Sequence, residues 1–319
     1  MGKVVRRDNK QKVATVQRYV NILSNAGFKA FFGDVNNKEA VISILNVLLP
    51  EYRQIVDIDY MPTEYQGPII DKSKEFQYDF MCRGSDGTAF IVELQKYREA
   101  DWFKRCVSYA SRAYDRQNRK GESYDVPPVY LIGLMTVDVG HPDKEFWKDR
   151  YISEYTFREK ECHDLIAETI VIIFAELNRF DKNDTECVTE RDRMLFVLKN
   201  IGRMMSQPAW LQHEVYSRIF EACEIKMFSN EKRKEYESDM YDEKRYNSIL
   251  NTAKEEGREE GREEGLAMGR NEGARQAYIE MAEKLLAKGT AVEEVASLTG
   301  MTVKECQEIL KRLRENNVK

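Results

Sequence analysis

Residues 76–95, FQYDFMCRGSDGTAFIVELQ, describe two strands around the turn-rich RGSDG. Glycine and aspartate supply the backbone geometries of a tight reversal, which predicts a β-hairpin folded about Ser85 to Thr88. Folded so, Asp79 falls opposite Val92 or Glu93, and cross-strand Cβ atoms lie roughly 5 Å apart. Alternation along the second strand puts Glu93 and Gln95 on one face, and one of the two registers adds Asp79 to it. Two ionised carboxylates that close repel each other unless a cation sits between them, and hard oxygen ligands suit Mg²⁺ or Mn²⁺. The other reading of the same residues is a strand leaving the core for solvent.

Outward from the hairpin, KEAVISILNVLL (38–49) sets Val41, Ile44, Leu45 and Leu48 at helical spacing behind Asn36 or Asn37, with Pro50 ending the run. Strand-like segments stand at IVDIDY (55–60), at the two arms of the hairpin and at VYLIGLM (129–135). A charged helical stretch from about Arg98 to Arg119 separates the last two. Helix, three strands, helix and strand predict a mixed α/β core. From about Arg150 the pattern turns helical apart from a strand at TIVIIFAEL (169–177), and the last ninety or so residues read as helix, with a composition shift near Tyr236.

The chain has 319 residues, 33% of them charged, and a formal net charge of −5, so it does not coat nucleic acid through overall charge. Runs such as IVIIFAEL fall well short of the roughly 20 apolar residues of a membrane helix. The N-terminal MGKVVRRDNKQK leads into no apolar stretch, which predicts a cytoplasmic protein without a signal peptide. None of the six cysteines forms a CxxC pair, and none of the three histidines lies near a nucleophile motif. The chemistry therefore falls to carboxylates.

An acid, a hairpin and Glu-x-Gln together resemble the PD-(D/E)XK nuclease core, in the variant carried by the Rpn family of recombination-promoting nucleases and transposases. Also similar to that family are FKAFFGD (28–34), NKEAVISILNVLL (37–49), FKRCVSYASRAYDRQNRKGESY (103–124), VYLIGLM, EGREEGREEG (256–265) and LTGMTVKE (298–305). The resemblance implies a restriction-endonuclease-like mixed sheet flanked by helices and followed by a long helical C-terminal extension. It divides the chain into a nuclease core (1–150), the remainder of the core with a helical subdomain (151–235), a charged glycine-repeat helix (236–289) and a helix-turn-helix-like tail (290–319). It implies Mg²⁺- or Mn²⁺-dependent cleavage of DNA tied to recombination or mobility. Asp79 and Glu93 then hold the metal, Glu39 from the first helix joins them, and Gln95 orients the attacking water.

Glu39 also reads as a solvated helix-start acid, which the helix dipole favours. Gln95 departs from the lysine that usually stands there to neutralise developing charge, and this leaves an inactive DNA-binding or assembly protein as the alternative. Lys96 points to the other face, Lys72 and Lys74 precede the hairpin, and Asp57 and Asp59 are spare acids.

At about 100° per residue, Arg105, Arg112, Arg116 and Arg119 make one basic stripe, suited to phosphate contacts or simply solvated. Gln117 sits among the packing residues Trp102, Cys106, Tyr109, Ala110 and Ala113. It points either to the metal site, followed by Gly121 and Tyr124, or to a core hydrogen bond.

In the tail, Gly257, Gly261, Gly265, Gly269 and Gly273 recur every fourth residue, each costing a lone helix about 1 kcal/mol relative to alanine. Like charges stack at i, i+4, while i, i+3 pairs such as Glu255 with Arg258 help. Close approach of a second helix would compensate, which predicts a homo-oligomer through about 245–290; a flexible charged linker is the competing reading. The terminal helix pair expects a core of Val292, Val295, Leu298, Val303, Ile309 and Leu310, with Ala296 and Gly300 at the turn. Its five basic residues against five acids suit an interaction module at least as well as DNA reading.

Overall fold

The computed structural model describes residues 17–65, 76–121 and 123–316. Two helices open the chain, α1 (Asn25–Phe32) and α2 (Lys38–Leu48). The Ser24 hydroxyl caps α1 by accepting from the Gly27 N–H at 2.9 Å. Asn37 precedes α2 without capping it; its amide donates instead to the Phe31 carbonyl at 2.9 Å. The strands β1 (Ile58–Tyr60), β2 (Glu64–Tyr65), β3 (Phe76–Gln77), β4 (Phe80–Gly84) and β5 (Ala89–Gln95) follow. Then come α3 (Trp102–Asp115), β6 (Val129–Met135), β7 (Ile152–Thr156) and β8 (Ile170–Glu176). The remaining helices are α4 (Glu190–Asn200), α5 (Glu214–Cys223), the 58-residue α6 (Asn230–Ala287), α7 (Val292–Thr299) and α8 (Val303–Asn316).

Six strands form one mixed sheet in the order β1-β4-β5-β6-β8-β7, and β2 pairs with β3 apart from it. The mixed α/β architecture and the long helical extension are as the sequence implied. The three central strands run parallel, β5 with β6 and β6 with β8, and every residue of β6 and β8 is buried. That is why those two segments read as unbroken apolar runs. β7 is a strand where the sequence pattern read helix. Its Ile152, Ser153, Glu154, Tyr155 and Thr156 pair antiparallel with β8, so the edge of the sheet, and not local pattern, fixes its conformation.

The sheet has two differently covered faces. Phe90 and Val92 of β5 join Tyr130, Ile132, Leu134, Val171 and Ile173 in a large core with α1, α2, α4 and α5. Ala89 and Ile91 point the other way, with Val129, Leu131, Ile172 and Phe174, against Trp102, Cys106, Ala110 and Ala113 of α3. Glu93 and Gln95 continue this second, α3-covered face.

Gly133 stands between Glu93 and Phe174 in the parallel register. A Cβ there would sit 2.8 Å from Phe174 Cδ1 and 3.4 Å from Trp102 Cζ2. Gly133→Ala should therefore destabilise the fold by about 1–3 kcal/mol through overpacking, read as a lower urea midpoint with an unchanged slope; an unchanged midpoint would show that the Phe174 ring yields freely.

The chain divides into two compact units, one reaching Glu243 and the other starting at Lys244. In the second, α7 and α8 pack on the end of α6 through Ala282, Leu286, Val295, Ala296, Cys306 and Ile309. Gly300 makes the turn at φ 68°. Leu298 and Val303, expected in this core, are exposed instead, because α7 and α8 turn the Val295 and Cys306 sides toward α6. No helix among the described residues is long and apolar enough to cross a membrane.

Candidate active site at the hairpin

The hairpin takes the register that faces Asp79 with Glu93, one of the two expected placements: Cys82 pairs with Phe90, Arg83 with Ala89 and Phe80 with Val92. Gly84 N–H donates to the Thr88 carbonyl and Gly87 N–H to the Gly84 carbonyl, so the turn holds one residue more between its arms than Cys82 facing Ala89 would need. Continued one step beyond β4, the register sets Asp79 opposite Glu93.

Two reciprocal hydrogen bonds fix that placement. The Asp79 N–H donates to Glu93 Oε1 at 3.2 Å, and the Leu94 N–H donates to Asp79 Oδ2 at 2.9 Å. Each carboxylate is thereby held by the backbone of the other's strand. Glu93 is 3% exposed. Burial, helped by the negative charge of Asp79, pushes its carboxyl up to about 8, while the Asp79 N–H and the Arg105 guanidinium pull the other way. Solvent reaches an edge of Asp79, yet the protein around its carboxylate raises its pKa as well, against the Leu94 N–H and the charges of Arg105 and Lys29.

Gln95 is buried on the same face and its amide is engaged at both ends. Nε2 donates to the Tyr97 carbonyl, and Oε1 accepts from Arg105 Nη2 at 3.0 Å. Arg105 also pairs with Glu99 at 2.8 Å and lies 4.7 Å over the Trp102 ring. Arg105 thus serves this site more directly than a stripe of phosphate contacts. Two buried donors close by, Trp102 Nε1 and Arg105 Nε, have no hydrogen-bond partner among the described residues.

The other expected residues lie elsewhere. Glu39 pairs with Arg218 of α5 at 3.2 Å, and α2 packs on the Phe90 and Val92 side of the sheet. Asp57 pairs with Lys38 at 2.7 Å, and Asp59 is exposed opposite Arg83. Lys96 turns to the far face and pairs with Glu243. Lys72 and Lys74 lie outside the described residues.

The helix expected to run to Arg119 ends at Asp115, because the Asn118 amide donates to the Tyr114 and Asp115 carbonyls and closes the last turn. Arg119 therefore leaves the stripe, while Arg112 and Arg116 stay on or at the end of α3. Gln117 donates to the Pro127 carbonyl at 2.8 Å, the core hydrogen bond and not a metal-facing role, and Tyr124 is 86% exposed.

Sequence reading missed a buried acid, Glu176, at the end of β8 and aligned with Gln95 through Met135. It accepts from the Val139 N–H at 2.7 Å and from Arg179 at 2.9 Å, and meets His141 Nε2 at 2.7 Å. Its oxygens are committed to holding the loop after β6. Among the described residues no group of three or more His, Cys, Asp or Glu side chains is gathered to hold a metal. Mg²⁺ commonly takes one or two carboxylates and completes its shell with water and phosphate oxygens, so the Asp79–Glu93 pair fits such an ion.

The structure thus combines a six-stranded mixed sheet with two acids facing each other at its hairpin. The chain belongs to the PD-(D/E)XK nuclease family transposases: that family's model matches residues 24–253. No curated protein and no solved structure matched the chain.

Proposed function

We propose that the protein is a Mg²⁺- or Mn²⁺-dependent DNA endonuclease whose phosphodiester cleavage serves recombination or DNA mobility. The observation that carries this reading is the reciprocal hydrogen bonding of the buried Glu93 with the solvent-reached Asp79, both with raised pKa. These two carboxylates would hold the ion, which when bound supplies Lewis-acid activation of water and stabilises charge on the phosphate. Arg105 provides the positive charge that Gln95 lacks: its field already acts on both acids. Gln95 holds Arg105 in place through Oε1, and keeps one amide N–H to orient water.

Supercoiled plasmid nicking tests this reading, with Mg²⁺ compared with EDTA and with Asp79→Ala. Nicking only in the first arm supports it, and equal nicking in all three points to a contaminant. The doubly engaged Gln95 amide favours one second reading, an inactive DNA-binding or assembly protein, which predicts DNA binding with no nicking in any arm.

We also propose that the exposed glycine row of α6 brings two chains together. A Cβ at Gly257, Gly261, Gly265, Gly269 or Gly273 would meet nothing within 4 Å, so no contact among the described residues explains these glycines. The ion pair seen along this stretch is Glu259 with Arg262, at i, i+3. The double substitution Gly261→Ala with Gly265→Ala should raise helicity by circular dichroism, at about 1 kcal/mol per site. It should also shift sedimentation toward the monomer. Full association of the double variant would remove this row from the interface.

A further inference from the structure

A cavity of about 360 Å³ opens at the carboxyl ends of β6 and β8, lined by residues that include Asn21, Thr136, Asn178, Lys199, Gly202 and Arg203. Ligands of sheets with parallel strands commonly bind outside those ends. In a chain with 55 acidic and 50 basic residues, its lining contains no aspartate or glutamate. It does contain two cations. The Lys199 ammonium is held by the backbone carbonyls of Phe180 and Asn178, and forms no ion pair with a carboxylate among the described residues. Burial, together with the charge of Arg203, lowers its pKa against the pull of Asp181. Arg203 is exposed at the rim, with no hydrogen bond or ion pair among the described residues.

The amides add donors. Asn21 accepts on its Oδ1 from the Leu23 N–H at 3.1 Å, and its NH₂ has no hydrogen-bond partner among the described residues. A Cβ on Gly202 would come within 2.6 Å of Asn21 Cβ, so the missing side chain lets the 17–24 segment close one wall. Thr136 ties the cavity to the hairpin site. Its hydroxyl donates to the carbonyls of Gln95 at 3.5 Å and Lys96 at 3.4 Å, just past the strand end that carries Glu93. At about 3.3 Å of rise per residue and 4.8 Å between strands, the two sites are roughly 11 Å apart.

We propose that this cavity is a phosphate-recognising subsite that holds a nucleotide of the cleaved strand a few steps from the scissile bond. The proposal rests on the nuclease reading for its purpose, but its recognition chemistry is separate: Lys199 and Arg203 neutralise a phosphate, and the Asn21 and Asn178 amides complete the hydrogen bonds.

The test is fluorescence anisotropy of a 3′-labelled single-stranded 12-mer with the full chain in EDTA, at several salt concentrations. Arg203→Gln, at an exposed position that cannot unfold the core, should bind about five- to tenfold more weakly at low salt. Its log–log salt slope should fall by about 0.7, one phosphate contact on a single strand. Lys199→Met should act in the same direction, while Lys148→Gln, an equal charge loss on an exposed loop away from the cavity, should not. Competition by millimolar dTMP that disappears in Arg203→Gln would support the site and make the free nucleotide a second source of the phosphate. Wild-type affinity and slope in both cavity variants would overturn the proposal, as would failure of the wild type to bind the strand. Because binding is read without divalent ions, an inactive wild-type enzyme would defeat the nuclease reading alone.

Discussion

Glu93→Gln is expected to reduce Mg²⁺-dependent nicking by at least ~10²–10³-fold while making the metal-free protein more stable at alkaline pH. The two effects have one cause. The Glu93 carboxyl titrates near 8 in the folded chain against an ordinary 4.5, because it is buried beside Asp79. Between these values the native state binds more protons than the unfolded state, so stability falls as pH rises through that window. Glutamine keeps the shape and does not ionise. The gap in stability between variant and wild type should open above pH 4.5 and level off above about 8, with a ceiling on the order of 5 kcal/mol at 1.36 kcal/mol per pKa unit. Nicking moves the other way, since an amide is a poor ligand for a hard cation and leaves Asp79 to hold it alone. Asp79→Ala should lose activity to a similar extent. Urea unfolding in EDTA at pH 5, 7 and 9, set beside nicking in Mg²⁺, measures both sides; a Gln variant that nicks like the wild type would remove Glu93 from the chemistry.

The hairpin that builds this site was legible because its information is local. Glycine and aspartate name the turn, and alternation names the face shared by Glu93 and Gln95. The register was narrowed to two placements of Asp79, and one residue in the turn decides between them, settled by Gly84 and Thr88 bonding across the turn. The segments of β6 and β8 were legible for a different reason: strands buried on both faces can be apolar throughout. β7 carries Ser153, Glu154 and Thr156 among its five residues, and only its pairing with β8 makes it a strand. Arg105 shows the same limit at the site. Helical spacing placed it correctly among arginines, but the way α3 lies across the sheet sends it to Gln95 and toward the acids. Glu39 fails as a partner of the pair for the converse reason, as its helix covers the opposite face. The cavity beside Lys199 draws on segments near residues 20, 136, 178, 202 and 240, and no spacing rule joins them.

Mn²⁺ affinity of the wild type should rise about tenfold per pH unit from pH 6 and flatten once Glu93 has lost its proton, near 8. The ion and the proton compete for the same carboxylate, so metal binding below that pH must release a proton. Asp79, raised by burial as well, adds to the dependence at the acid end. Arg105 opposes both shifts, since its charge favours the ionised acids. Arg105→Gln should therefore move the plateau to higher pH, although it removes a cation from beside a cation site and so also removes direct repulsion. The position of the plateau separates these effects: loss of repulsion tightens binding equally at every pH, whereas a higher Glu93 pKa displaces the curve along the pH axis. Titration calorimetry with Mn²⁺ at pH 6, 7, 8 and 9, in buffers of different ionisation enthalpy, gives the affinity and the proton count together. About one proton released at pH 6.5 and almost none at pH 9 is the expected pattern. An affinity independent of pH between 6 and 8, with no proton released, would mean that the ion does not take the Glu93 oxygens.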